Sequence, residues 1–295
     1  MRSHLTLTDD RAAEVAIDWI CATIERSAPG DTALLLQGCA AAALCHHLAA
    51  ERRGVAHEVC ALALDRLGAT DARSLRRSDG TMVLLCAALA VELFGAAPPA
   101  LAAQAREVAG ALADLPMTAD PDFRPASWLL ARMGLGLASF PASAALEEPL
   151  LPLLLGDDAA VRGTVERIEN GSVYGVFPAT APDGLSAVLD AIAMRRLALY
   201  DIPLACRLVR AATYAGRGDG LACRTARTFL LTNQAADGSF GFFERELALL
   251  RSERSIDEAT LKLPVTLTCL WTLAETRDDG YRLFAPMPGA NARGA

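Results

Sequence analysis

Asn233–Phe243 reads NQAADGSFGFF, a turn rich in glycine and phenylalanine between two long apolar segments of a chain crowded with Ala and Leu. Asp-Gly and Gly-rich pieces are turn chemistry, so the stretch joins two elements and belongs to neither. On both sides apolar residues recur at helical spacing, and nowhere in the 295 residues do apolar and polar positions alternate for long. The spacing predicts helices near 8–27, 32–52, 55–67, 79–95, 99–114, 125–138, 157–168, 184–199, 203–215, 219–234 and 261–276. Shorter helical pieces are expected around 143–154 and 244–252. Thr8, Asp31, Ser78 and Asp183 stand where N-caps belong. Breaks fall at Pro29-Gly30-Asp31, Pro98-Pro99, Pro116 to Pro125 and Gly171 to Gly184. No low-complexity linker divides the chain, so residues 1–285 read as one all-α domain and 286–295 as a loose C-terminal tail.

Composition bounds the function. Hydrophobic residues make up 53% and charged ones 21%, with a mean hydropathy of +0.27, which requires a large core, or a core plus an apolar cavity or interface. A net charge of -7, a pI near 5.2 and the lack of a basic patch argue against nucleic acid or an acidic membrane surface as the main partner. The most apolar runs, Thr81 to Leu93 and Leu146 to Leu155, fall short of the roughly 20 residues that a membrane span takes, so no membrane insertion is expected. MRSHLTLTDDRAAEVAIDW lacks the apolar stretch of a signal peptide, and a cytoplasmic location is expected. The eight cysteines sit singly inside apolar segments, as reduced buried thiols do. Lys262 is the only lysine.

Three connections combine Pro, Gly, aromatic and Asp residues: MTADPDFRPAS, NGSVYGVFPATAPDG and QAADGSFGFF. Each precedes an apolar helix, as does Ser78-Asp79-Gly80. These starts, near Asp79, Arg124, Asp183 and Lys262, lie 45, 59 and 79 residues apart, too irregular for a solenoid but consistent with divergent helical hairpins. Gln234-x-x-Asp237-Gly238-Ser239-Phe240-Gly241, followed by LPVTLTCLWTLAE, resembles the Gln-x-x-Asp-Gly-x-aromatic-Gly repeat of the terpene-cyclase and prenyltransferase superfamily, with Phe240 where Trp is usual. The resemblance covers Arg224 to Glu275. It implies an α/α toroid of roughly a dozen helices, inner ones ringed by outer ones, with a cavity at one end of the inner ring. It also implies that Gln234 ends an outer helix and bonds the backbone of the next turn. Asp237 and the glycines would shape that turn, and Phe240 would pack between repeats.

The motifs that would fix terpene chemistry are missing. There is no Asp-x-Asp-Asp and no Asp-Asp-x-x-Asp, and the pairs Asp9-Asp10, Asp157-Asp158 and Asp278-Asp279 read as caps and solvated charge. Lys262, Thr266, Cys269 and Leu273 share a helical stripe that would face the ring axis if Leu263, Leu267, Leu270, Trp271 and Ala274 pack outward. Asp183, Ala187, Asp190 and Met194 form a second stripe, and Asp79, Val83, Cys86 and Ala90 a third. Asp190 in an apolar helix would either pair with Arg195 or Arg124 or serve as an acid or base with a raised pKa. Lys262 reads either as a base or carbonyl-binding group, or as a solvated charge at a helix start. Arg124, Trp128, Tyr174 and Phe177 lie in or beside the long loops and are the candidates for holding substrate. Cys45, His46, His47, His57 and Cys60 could be zinc ligands or simply core thiols and boundary imidazoles. Trp-Cys-Tyr-Gly and Cys-His-Gly, which zinc-holding helical toroids carry, are absent. Gly216-x-Gly218-x-Gly220 follows a helix, so it is no dinucleotide loop.

The sequence therefore predicts an enzyme of specialised metabolism that needs no cofactor or metal. It would cyclise or isomerise a hydrophobic small-molecule or peptide-derived substrate in an apolar cavity by acid-base chemistry, with Asp190, Asp183, Lys262 and Asp79 as catalytic candidates. Arg124, Trp128, Tyr174, Phe177, Thr266 and Cys269 would bind that substrate. A non-catalytic scaffold for a peptide, carrier or lipid-like ligand is the alternative reading, and a zinc-dependent transferase or thiol-chemistry enzyme a third. Oligomeric state stays open, with a homo-oligomer allowed.

Overall fold

The computed structural model describes residues 8–28, 30–113, 123–135, 144–145, 150–217, 220–241, 243, 258–277 and 280–285. Its architecture is all-α. In chain order the helices are α1 (Asp9–Arg26), α2 (Thr32–Leu48), α3 (Arg53–Gly68), α4 (Ala72–Arg76), α5 (Gly80–Phe94), α6 (Pro99–Ala113) and α7 (Arg124–Arg132). Then follow α8 (Leu150–Leu154), α9 (Asp158–Gly171), α10 (Leu185–Ala198), α11 (Ile202–Ala212), α12 (Leu221–Thr232) and α13 (Glu258–Glu275). A π-type turn, Thr213–Arg217, extends α11. The two-residue strands β1 (Ala144–Ala145) and β2 (Ala179–Thr180) pair in parallel. Among the described residues no helix is long and apolar enough to cross a membrane.

Local chemistry sets the ends. Thr8 Oγ1 accepts from the Arg11 amide at 3.3 Å, as expected of a cap. At α5 the cap is Asp79, one residue beyond the expected Ser78, accepting from the Thr81 and Met82 amides at 2.9 and 3.3 Å. Asp31 makes no cap bond to α2 and instead accepts from the Ala28 amide at 2.9 Å. Gly184, with φ +83°, occupies the N-cap position expected for Asp183. The α2 helix stops at Leu48, short of the expected 52, where Ala49 leaves the helical region and Arg53 Nε donates to the exposed His46 carbonyl at 3.1 Å. The expected helix at 244–252, the tail at 286–295 and residues 136–138 lie outside the described residues.

Packing follows from composition. TALLLQGCAAAALCHHL of α2 is apolar on every side because α1, α3, α5 and α13 all pack on it. A Cβ on Gly38 would sit 2.8 Å from Ile24 Cγ1, so glycine sets the closeness of α1 and α2. Six helices touch in cyclic order: α13 with α2, α2 with α5, α5 with α7, α7 with α9, α9 with α11, and α11 with α13. Others flank them: α1 and α3 lie on α2, α6 on α5, and α10 and α12 on α11. Buried side chains fall into two cores, one mainly from α1, α2, α3, α5 and α13 and one mainly from α8 to α12. Tyr174 and Phe229 pack against both.

NQAADGSFGFF fastens the start of the chain to its last described helix. Gln234 Nε2 donates to the Ala12 carbonyl of α1 at 2.8 Å and to the Gly238 carbonyl at 2.9 Å. Asp237 accepts from the amide and hydroxyl of Ser239 at 2.9 and 2.6 Å, closing the turn. Gly238 has φ +93°, and any Cβ there would strike the Val15 backbone, so both conformation and space require glycine. Phe240 is 1% exposed, and its amide donates to Thr266 Oγ1 of α13 at 3.0 Å.

Candidate functional site

Beyond α9 the chain enters an unusual backbone. Val173 and Tyr174 have φ +51° and +50°, and Gly175 has φ +80°. The left-handed region is an outlier for a β-branched residue and costs on the order of 1–3 kcal/mol per strained position. Local bonds hold the conformation: the Tyr174 amide donates to the Glu169 carbonyl at 2.6 Å, the Gly175 amide to Ser172 Oγ at 3.0 Å and the Phe177 amide to the Ser172 carbonyl at 2.9 Å. Gly175 is pressed so close that a Cβ would collide with the Tyr214 ring and stand 2.7 Å from Arg282 Nε.

The loop buries Val173 and lays Tyr174 against aromatic side chains from distant segments. The Tyr174 ring stacks on Phe284 at 4.3 Å between centroids and lies 5.2 Å from Trp271. Phe177 meets Trp128 of α7 edge-on at 5.3 Å and lies under the Arg124 guanidinium at 5.7 Å. Trp128 Nε1 donates to the Phe284 carbonyl at 2.7 Å, tying the two aromatic groups together. Rings from α7, α13 and two loops thus pack on one another as an aromatic wall, with the Trp128 and Arg124 side chains as the directional polar groups among them.

A polar seam backs the wall. Glu169 of α9 and Arg210 of α11 are each 2% exposed, and Arg210 Nη2 lies 3.4 Å from Glu169 Oε1. Arg207 donates to Glu169 Oε2 through Nε at 3.1 Å and Nη2 at 2.6 Å. Arg210 also donates to the Thr268 carbonyl and hydroxyl, both at 3.2 Å, and to Thr272 Oγ1 at 3.1 Å. Its guanidinium lies 4.4 Å from the centre of the Trp271 ring. Tyr214 donates to Glu275, whose other oxygen accepts from the Leu283 amide at 3.0 Å. Burial would strip the charge from Arg210, but Tyr214, Glu169 and Glu275 raise its pKa overall. Burial raises Glu275, against the pull of Arg210. Burial raises the Tyr174 phenol, and the Glu169 carboxylate adds to the rise while Arg207 and Arg210 oppose it. Tyr174 therefore stays protonated and can act as a hydrogen-bond donor.

The candidates from the sequence scatter. Arg124, Trp128, Phe177 and Tyr174 converge on the aromatic wall. Lys262 is held between Glu258 at 2.6 Å and Asp237 at 3.3 Å. Burial would lower its pKa, but those carboxylates raise it, so of the two readings the structure shows a paired cation at the start of α13, clasping Asp237. Thr266 is fully buried as the acceptor for Phe240, and Cys269 is fully buried against Cys206. Trp271, expected to pack outward, lies on the wall beside Arg210 because α13 turns that face toward α11. Asp79 spends its carboxylate on the α5 cap, although its charge reaches Tyr174. Asp183 is exposed. Asp190 is half-buried on α10, which packs on α11 and α12, and its charge reaches Cys223. Among the described residues no group of three His, Cys, Asp or Glu side chains is placed to hold a metal ion. His47 stacks on Tyr281 at 3.7 Å and His57 lies 4.4 Å from Phe94. Glu169, Arg207, Arg210, Tyr214, Glu275 and Phe284 were not foreseen. The one local signal was Arg207 and Arg210 at i, i+3 within PLACRLVRAA.

Comparison with protein-family models, curated proteins and solved structures finds no match for this chain.

Proposed function

We propose that the protein is an α/α toroid of the kind its clasp resembles, and that it isomerises or cyclises a hydrophobic, oxygen-bearing intermediate of specialised metabolism without a cofactor. The carrying observation is the meeting of Trp128, Phe177 and a strained, protonated Tyr174 at the junction of the two cores. The cyclic order of helix contacts and the Gln234 bonds agree with the toroid. In this reading the aromatic faces bind the hydrocarbon part of the ligand. The Tyr174 hydroxyl donates a hydrogen bond to a ligand oxygen, orienting it and polarising its bond to carbon. Glu169, fixed by two arginines, sets the field at that hydroxyl and transfers no proton. Asp183, Asp190 and Asp79 keep no catalytic role here.

A scaffold or carrier role is the second reading, favoured by the engagement of Lys262, Asp79 and Glu275 in caps and pairs, which leaves none of them free as a base. One experiment separates the two. Isoprenoid alcohols and ketones, from geraniol to geranylgeraniol and geranylacetone, are titrated while tryptophan fluorescence is followed, and the bound fraction is recovered for product analysis. Binding is expected to weaken about tenfold or more in Trp128→Ala. Tyr174→Phe is expected to keep binding but lose conversion. Conversion unchanged in Tyr174→Phe would remove the catalytic reading, and binding unchanged in Trp128→Ala would remove the site.

A further inference from the structure

A cleft of about 330 Å³ opens between α8, α9 and α10, away from the aromatic wall. Leu153, Leu154, Val161, Val188, Ala191 and Ile192 supply its aliphatic lining, and among the described residues no aromatic or acidic side chain contributes. That volume is at the lower end of ligand-sized sites, roughly 300–1,000 Å³. Apolar surface continues past it, with Leu151 and Leu155 65% and 77% exposed. Among the described lining residues the charged ones are Arg195 and Arg196.

The two arginines differ. Arg196 is held by Asp158 and, at 3.4 Å, by Asp201, although its buried Nε has no acceptor among the described residues. Arg195, one residue earlier, is exposed and makes no ion pair with a described residue. Gly156, with φ +76°, makes room for it: Arg195 Nη1 would lie 3.4 Å from a Cβ at that position. A guanidinium with no ion-pair partner among the described residues is thus placed at the end of an aliphatic slot.

We infer that this cleft binds an apolar chain ending in a carboxylate, an acyl acid, with its tail between α8 and α10 and its head group on Arg195. A planar carboxylate matches a guanidinium fork, and one cation answers one negative charge. The aliphatic lining suits a flexible alkyl tail, whereas a flat aromatic ligand would find no ring to stack on. The site is independent of the aromatic wall.

The test uses the full chain and calorimetry with dodecanoate, dodecanol and dodecylammonium, each below its micelle concentration. Dodecanoate is expected to bind with one-to-one stoichiometry, dodecanol at least about tenfold more weakly, and dodecylammonium not at all. Arg195→Gln, an exposed change that spares the fold, should bring dodecanoate down to the level of dodecanol. Ala191→Trp should block the slot, and Trp128→Ala should leave dodecanoate binding unchanged. The inference is overturned if dodecanoate does not bind, or if Arg195→Gln binds it as the parent does. It is also overturned if Trp128→Ala abolishes binding while Ala191→Trp has no effect, which would move the chain to the aromatic wall. Finally, a dimer in sedimentation that Ala191→Trp dissociates, without dodecanoate binding, would make the cleft a self-association face and overturn the inference.

Discussion

The helix pair α2 and α5 and the helix pair α9 and α11 both occupy the cyclic contact order, yet only the second adds a buried ion network to its apolar packing. On the α2 side the interface is Ala, Leu and Cys: Leu35, Cys39, Ala42, Leu85, Cys86 and Leu89 are all 0–1% exposed. Cys86 Sγ donates to the Leu36 carbonyl at 3.3 Å, one of few polar contacts there. On the α9 side a carboxylate and two guanidiniums are set into an otherwise apolar contact that includes Val165, Ile168 and Leu208. A dry helix interface gains from every methyl group it removes from water. A buried ion network gains little net stability, because desolvation cancels most of the attraction, but it penalises any arrangement that leaves a charge unpaired. The apolar side is therefore expected to carry most of the stability, and the polar seam to fix the geometry around Tyr174.

The largest effect should come from unpairing the seam. Glu169→Ala strands Arg207 and Arg210 and is expected to cost about 3–5 kcal/mol in urea unfolding. Replacing Glu169, Arg207 and Arg210 together by Met should recover most of that loss but blur the near-ultraviolet signal of Trp271. If the single change costs no more than a surface substitution, the contrast between the two sides collapses.

Leu85→Ala on the apolar side should cost about 2–4 kcal/mol through lost burial and a residual cavity. Unlike the seam variant, it should leave the Tyr174 environment and ligand-induced fluorescence changes intact. A change in both would show that the two sides are one cooperative unit.

The smallest effect is a difference in sign with pH. Burial, then Arg53 and the neighbouring histidines, lowers His46 from 6.5 to about 4. The folded state thus resists its protonation, so its contribution is complete above pH 6.5 and is lost as pH falls toward about 4. Glu275 runs the other way: burial raises it above 4.5, so its contribution is complete below that value and fades as pH rises through the folded-state pKa. His46→Asn should flatten the acid-side loss, and Glu275→Gln should flatten the opposite slope. Profiles measured by urea midpoint that keep the parent's shape in both variants would dismiss the assignment.

Much of the fold was legible because it rests on short-range rules. A helix apolar all round, such as α2, has to be wrapped by others, and Asp-Gly followed by Phe-Gly has to turn. Thr8 and Gln234 act within a few residues of where pattern alone places them, although Gln234 reaches back to Ala12. The aromatic members of the site were legible as types, because large rings in long loops need somewhere to pack. Their partners were not. Glu169 meets Arg207 across 38 positions and Arg210 meets Thr272 across 62, and no local period links them.

By itself the sequence determined the helical class, most helix positions, the clasp at Asn233–Phe243 and a net charge of -7. Those depend on periodicity, turn chemistry and summed charge, which are properties of neighbouring residues or of the whole composition. Tertiary structure alone decided that Lys262 is spent on Asp237 and Glu258, that Arg210 is buried on Trp271, and that Arg195 is left beside an aliphatic cleft. A charged side chain reads the same in sequence whether it is solvated, paired or waiting for a ligand. Only the groups brought to it by distant segments, and the water they exclude, set its free energy.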